Sequence, residues 1–305
     1  MPTVSFARLT EDAERRGYAV GYFESWNMES LFAVADAAEA ARSPVILGFS
    51  GIALPRADRA RPEHLIDYAE LGMAVCNRLA VPACLLFNES PSFDWVVDAV
   101  SHGFGMVMFA DDDADYETTL EKTREICRIA HPASVAVEGE PHSLPGIAGD
   151  LVAAPGERHM TDPAQAREFV QATGVDAIAV NVGQAHLHGR GEVRLDLERV
   201  SALKRAVNVP LVLHGATSVS RDDLREAIRR GVRKVNVGSA LKRAAIEAMR
   251  SALAAAGPGY NPYEVVGSGL SQDVMVACRV AVQRVAREYI ELFGSAGKAD
   301  EFRSH

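Results

Sequence analysis

His186 and His214 each follow a short apolar run, and two neutral imidazoles joined by a carboxylate or a water make a normal ligand set for zinc and other transition metals. Glu89 and Glu140 offer the carboxylate, while His142 and His188 are competing imidazoles close by in the chain. Glu24, Glu89, Asp111 and Glu140 also leave apolar runs. Carboxylates that crowd one another have raised pKa values, which suits general acid–base work, and Glu24 or Glu140 is the expected base. A different chemistry belongs to Leu213-His-Gly-Ala-Thr-Ser218 and Val235-Asn-Val-Gly-Ser239. Small residues let backbone N–H groups approach an anion, and Ser239 is placed to open a helix whose dipole favours negative charge. A glycine at such a point also serves as a plain turn. Arg279 is a candidate for a second anionic group.

The elements that must position these residues are eight short β-rich runs: Ala19 to Phe23, Pro44 to Phe49, Pro82 to Phe87, Gly105 to Phe109, Ser134 to Glu138, Asp176 to Val182, Pro210 to His214 and Lys234 to Val237. Between them lie stretches of helical periodicity, such as Leu31, Val34, Ala35 and Ala38. Ser30, then Thr161 or Asp162 ahead of Pro163, then Ser220 read as helix caps. Eight βα units without a G-x-G-x-x-G turn after the first strand predict an α/β fold of the (β/α)8 (TIM) barrel kind, as one domain over residues 1–305. In such a barrel chemistry sits at the C-terminal ends of the strands. The residues leaving the runs are Glu24, Ser50, Asn88, Glu89, Asp111, Glu140, His186, His214 and Asn236, a ring far more polar than packing requires.

Composition narrows the partners. With 32 Lys and Arg against 41 Asp and Glu the net charge is −9, which argues against a general binder of nucleic acid or anionic membrane. No segment is apolar for long enough to span a bilayer. Cys76, Cys84, Cys127 and Cys278 show no Cys-x-x-Cys spacing and no signal peptide precedes them, so reduced thiols and a cytoplasmic location are expected.

Several motifs together resemble the class II, metal-dependent fructose-bisphosphate/tagatose-bisphosphate aldolases. They are Gly174-Val-Asp-Ala-Ile-Ala-Val180 followed by Val182-Gly-Gln-Ala-His186, then Pro210-Leu-Val-Leu-His-Gly215, Gly231-Val-Arg-Lys-Val-Asn-Val-Gly238 and Glu291-Leu-Phe-Gly-Ser-Ala-Gly-Lys-Ala299. The resemblance implies retro-aldol cleavage of a phosphorylated ketose through an enediolate, with a metal polarising the ketone and no Schiff-base lysine. By motif, His186 and His214 match two of three histidine ligands. Gly183, Gly215, Gly238 and Ser239 match the phosphate-binding positions, Asn236 a substrate contact, and Arg279 the place where some members hold a distal phosphate. Ser50 and Thr217 complete the expected substrate-binding set. A homodimer or homotetramer is also implied.

The sequence departs from that pattern at the chemistry. Where the family ends its third strand in His-x-Asp-His, this chain reads Leu86-Phe87-Asn88-Glu89, so Asn stands for the proton-transferring Asp and Glu for a metal-binding His. Glu138-Gly-Glu140 keeps a Glu-x-Glu pattern, Asp150 is the acid of the following loop, and the first strand ends in Glu24 where the family usually has Asn. The resulting expectation is a carbon–carbon lyase with Glu89, His186 and His214 around one divalent ion, zinc first and manganese or magnesium as alternatives, since an oxygen ligand shifts preference toward harder metals. Asn88, Glu24 and Glu140 are the catalytic candidates. An isomerase or epimerase on a related sugar phosphate, and a non-catalytic phosphosugar-binding relative, are the alternatives.

Overall fold

A computed structural model describes residues 3–144, 160–186 and 191–302. Eight parallel strands close into a barrel in sequence order: β1 (Val20–Ser25), β2 (Val45–Ser50), β3 (Ala83–Ser90), β4 (Met106–Phe109), β5 (Ala136–Gly139), β6 (Ala177–Ala179), β7 (Leu211–Leu213) and β8 (Val232–Val237). Each neighbouring pair is parallel, and β8 returns to β1 with Tyr22 opposite Asn236. This is the predicted (β/α)8 barrel. Its helices are α1 (Phe6–Arg16) before the barrel, α2 (Met28–Ala41), α3 (Leu65–Arg78), α4 (Phe93–Ser101), α5 (Tyr116–Ala130), α6 (Pro163–Thr173), α7 (Leu197–Ala206), α8 (Arg221–Arg229), α9 (Ser239–Ala256), the short α10 (Pro262–Val265) and α11 (Val274–Leu292).

Two apolar cores follow from strand alternation. Outward strand residues such as Leu47, Leu85, Val107 and Val235 pack against the helices. Inward residues Val20, Tyr22, Ile46, Cys84, Leu86, Met106, Met108, Ala177, Ala179 and Val212 fill the barrel, and Phe6, Leu9 and Ala13 of α1 join them. α1 therefore stoppers the N-terminal end, each fully buried large side chain being worth about 1.5–3 kcal/mol, and leaves the other end for chemistry. The four cysteines are free and buried. Among the described residues no helix is long and apolar enough to cross a membrane.

Two local expectations are corrected. Ser30 is not the cap of α2: Asn27 is, accepting from the Ser30 N–H while the Ser30 hydroxyl accepts from the Asn27 N–H, so the capping box is built one turn earlier. Strand β3 runs three residues past Phe87, because Asn88 pairs with Ser50 of β2 and Ser90 with Phe109 of β4. Asp162 caps α6 and Ser220 caps α8 as expected, whereas the Thr161 hydroxyl accepts from the Asn181 N–H.

Candidate active site

Alternation carries the inward face of each strand into the mouth of the barrel. Tyr22 leads to Glu24, Gly48 to Ser50, Leu86 to Asn88, Glu138 to Glu140, Val212 to His214, and Lys234 to Asn236. Two residues per step is the strand repeat, so every second side chain meets the same space. Glu89 is out of phase with this series, yet its carboxylate lies inside. The reason is its backbone, which adopts φ +53°, a left-handed conformation rare for a non-glycine residue, at the point where the β3–β4 register shifts between Phe87 and Ser90. Bulges re-aim side chains in this way, and backbone in that region costs about 1–3 kcal/mol, a strain that concentrates at functional positions.

The consequence is a closed network of charges. Glu89 Oε1 is 3.0 Å from His214 Nδ1, and Glu138 Oε1 is 2.7 Å from His214 Nε2. Glu138 Oε2 lies 2.8 Å from Lys234 Nζ, with both side chains fully buried, and the same ammonium donates to Asn236 Oδ1 at 2.6 Å. Asn236 Nδ2 is 3.0 Å from His214 Nε2. His186 Nε2 stands 4.0 Å from Glu89 Oε1, and the Asn88 amide donates to the other Glu89 oxygen. Burial alone would lower the His214 pKa, but the Glu89 charge and the bonds to Glu138 and Glu89 outweigh it and push it up to about 10. Burial would likewise raise Glu89, yet His214, His186 and Lys234 hold it down at about 2. Glu138 is also held low against its burial, chiefly by Lys234 and His214. Burial of Lys234 wins over the attraction of Glu138 and lowers its pKa.

Glu140 behaves oppositely. Desolvation pushes its carboxyl up to about 8, reinforced by Glu89, Glu138 and Asp112 and only partly offset by His214. It therefore holds its proton at neutral pH, and it lines a cavity of about 300 Å³ with Asp111, Asp112, Ser143 and Leu144. A second cavity, about 290 Å³, is lined by Glu24, Ser50, His186, His214, Gly215, Thr217, Asn236, Gly238 and Ser239, with Tyr22 and Lys242. Glu89 and Ile52 form part of both walls, so the two spaces meet at the charge network.

The structure thus brings most of the anticipated residues to one mouth. Gly215 (φ +66°) follows β7 and a Cβ there would stand 3.0 Å from Leu144 and 3.2 Å from the Ala185 carbonyl. Gly238 caps α9, which starts at Ser239 as predicted. Other residues lie elsewhere. Gly183 is not among the cavity walls and its N–H donates to Asn181 Oδ1 at 2.9 Å. Arg279 makes a two-pronged pair with Asp36 of α2, at 2.6 and 2.9 Å, and stacks over Phe32. His142 faces Gln165 at 3.1 Å. Asp150 and His188 fall outside the described residues. Glu24 does lie in the mouth, where it is paired with Lys242. Sequence reasoning missed Tyr22, Glu138 and Lys234 as members of the site. Each stands two residues before an anticipated residue, and the strand repeat was the signal that would have found them.

The comparisons with known proteins decide the family. The model of the class II fructose-bisphosphate aldolases matches residues 4–298. The chain belongs to that family. A relative named YdjI from Escherichia coli K12 is 33% identical over 291 residues, 95% of this chain and 96% of the relative. A fructose-bisphosphate aldolase of Thermus caldophilus is 30% identical over 319 residues, covering 97% and 99%. Among solved structures, the YdjI aldolase superposes with a TM-score of 0.77 at 31% identity over 98% of this chain and all of that one. The Campylobacter jejuni fructose-bisphosphate aldolase, at 19% identity and the same TM-score, shares the fold. An aldolase-like lyase is the activity class this membership supports, and the class II aldolases are in general metal-dependent. Among the described residues no group of three or more His, Cys, Asp or Glu side chains is already arranged to hold a metal ion.

Proposed function

We propose that this protein is a metal-dependent lyase that cleaves, or in reverse forms, a phosphorylated ketose by aldol chemistry, with Glu89, His186 and His214 as the residues that would hold one divalent ion. The observation that carries this reading is the position of Glu89 Oε1, 3.0 Å from His214 Nδ1 and 4.0 Å from His186 Nε2. Tetrahedral ligands at about 2.0–2.2 Å from a metal stand roughly 3.4 Å from one another, so the first contact is shorter and the second longer than an ion would hold them, and binding would shift these side chains by a few tenths of an ångström. A second feature supports this donor set. Glu138 takes the far nitrogen of His214, which is the carboxylate–histidine arrangement that fixes a ligating imidazole and directs its other nitrogen at the ion. When bound, the ion would polarise the substrate carbonyl and stabilise charge developing on its oxygen. Zinc is the first choice, with manganese or magnesium favoured by the carboxylate oxygen.

The protein's own groups supply the rest. Asn88 donates its amide to Glu89, and its Oδ1 is buried without a hydrogen-bond partner, leaving an acceptor for a substrate hydroxyl. The Tyr22 hydroxyl, also buried without such a partner, lines the cavity of His186 and His214 and offers a second. Protonated Glu140 serves as the acid that gives a proton to the reacting carbon or oxygen and, once ionised, as the base that takes it back; a pKa near the working pH suits that exchange. Backbone N–H groups at Gly215, Gly238 and Ser239, with the α9 dipole, receive the phosphate. The remaining features belong to the same proposal: one domain over residues 1–305, a cytoplasmic location, and a homodimer or homotetramer that covers the exposed Ile246, Leu253, Tyr260, Tyr263, Val266 and Leu270 of α9, α10 and the turns around them. The test is aldehyde release from a panel of phosphorylated ketoses. Turnover of at least one, abolished by His214→Ala, is expected, and no turnover across the panel by metal-loaded protein would overturn the assignment.

A further inference from the structure

The phosphate end of this cavity already contains an anion. Glu24, at the end of β1, lines the cavity with Gly238, Ser239 and Lys242, and one of its carboxylate oxygens occupies the space that a Cβ on Gly238 would fill. Its other oxygen is bound by Lys242 Nζ, one turn into α9. The ammonium lies 5.9 Å above the Trp26 ring, and the Glu24 side chain is only 17% exposed against 48% for Lys242. Glu24 and Gly238 are thus close neighbours: a side chain at position 238 would push this carboxylate from its place at the start of the helix.

Anion recognition needs positive charge that is available. The lysine and arginine among the described residues lining this cavity are Lys242 and Arg59. Arg59 is bound to Glu63 at 2.6 Å, and Lys242 to Glu24. A phosphate entering over Gly238 and Ser239 meets the Glu24 carboxylate at the same helix start and must take Lys242 away from it. Like charges a few ångströms apart repel strongly where water is scarce.

We propose that Glu24 is a specificity-determining residue, an internal carboxylate that competes with the substrate's phosphate for Lys242 and the N-terminus of α9. The inference rests on the proposed function only in placing the anionic end of the substrate here. It assigns Glu24 to substrate selection, through Lys242, by weakening the hold on a phosphate while leaving the hold on a neutral polyol end unchanged.

The test is a binding titration of metal-loaded protein with inorganic phosphate, with uncharged dihydroxyacetone as the control ligand. Glu24→Gln keeps the shape and removes the charge, so it should bind phosphate at least about tenfold tighter than the parent, a change of about 1.4 kcal/mol, with dihydroxyacetone binding unchanged. Adding Lys242→Met should erase that gain. Lys242→Met alone, at a half-exposed position that tolerates substitution, should weaken phosphate at least about tenfold, which keeps the test decisive if Glu24→Gln does not fold. Equal or weaker phosphate binding by Glu24→Gln, an unchanged affinity in Lys242→Met, or no phosphate binding by any variant would each overturn it. Because the readout is binding, a protein that turns over no ketose yet shows the predicted order loses the proposed function and keeps this one.

Discussion

Glu138→Gln should be the most damaging conservative substitution in the barrel. The amide still accepts from His214 Nε2, so the ring keeps its orientation, but Lys234 loses the carboxylate 2.8 Å away while remaining fully buried. Its other neighbours, the Asn236 carbonyl at 2.6 Å and the Tyr22 ring with its centroid at 5.1 Å, carry no full charge. Removing one member of a buried pair costs about 3–5 kcal/mol because the other charge is left uncompensated. With roughly 2–4 °C per kcal/mol in chains of somewhat smaller size, the melting temperature should fall on the order of 10 °C at pH 7. The pH dependence has a definite sign. The folded pKa of Lys234 already lies below its ordinary value, and losing Glu138 lowers it further, so between that value and the unfolded one the unfolded chain binds more protons. Stability then rises with pH, and the deficit of Glu138→Gln should shrink toward alkaline pH. Glu138→Gln/Lys234→Met removes both charges and should recover at least about 2 kcal/mol of the single variant's loss. Thermal and denaturant unfolding at pH 7 and pH 9 measure all of this. A single variant within about 1 kcal/mol of the parent, or a double variant no more stable than the single one, would refute the reasoning.

Glu140→Gln acts on a carboxyl whose folded pKa is raised to about 8. The folded state therefore binds the extra proton from the ordinary carboxylate range up to about pH 8, the natural protein loses stability as pH rises through that window, and the variant should be the more stable of the two at pH 8–9 while losing turnover; equal melting curves at pH 9 would contradict this. Leu9→Ala, in the stopper at the closed end, should cost about 2–5 kcal/mol in denaturant unfolding and leave kcat at 25 °C unchanged. Asn88→Asp should retain the metal and raise the rate of ketose cleavage by restoring a proton-transferring group beside Glu89, as measured by aldehyde release; loss of metal or of rate would count against the role given to position 88.

The barrel was legible because its signals are local. Eight β-rich runs of alternating faces and the caps at Asp162 and Ser220 fall where the sequence puts them. The mouth was legible in part, since residues leaving the runs at Glu24, Ser50, His214 and Asn236 do share one cavity. Three things escaped. Glu138 closes one run and Lys234 opens another, where a charged residue reads as a boundary, and only their meeting across the barrel shows them to be a buried pair. The inward turn of Glu89 depends on a left-handed backbone and a register shift that no residue type announces. The Glu24–Lys242 pair joins the first strand to the helix after the last, across most of the chain length, and depends on closure of the barrel.

The measurement that bears most directly on the account is the divalent-metal content of the purified untagged protein, taken beside that of Glu89→Ala and His214→Ala and alongside ketose turnover for each. The account predicts about one ion per chain in the parent, loss of most of it in both variants, and turnover that follows the metal. A parent chain that cleaves a ketose phosphate with no stoichiometric metal, or variants that keep their ion, would contradict it.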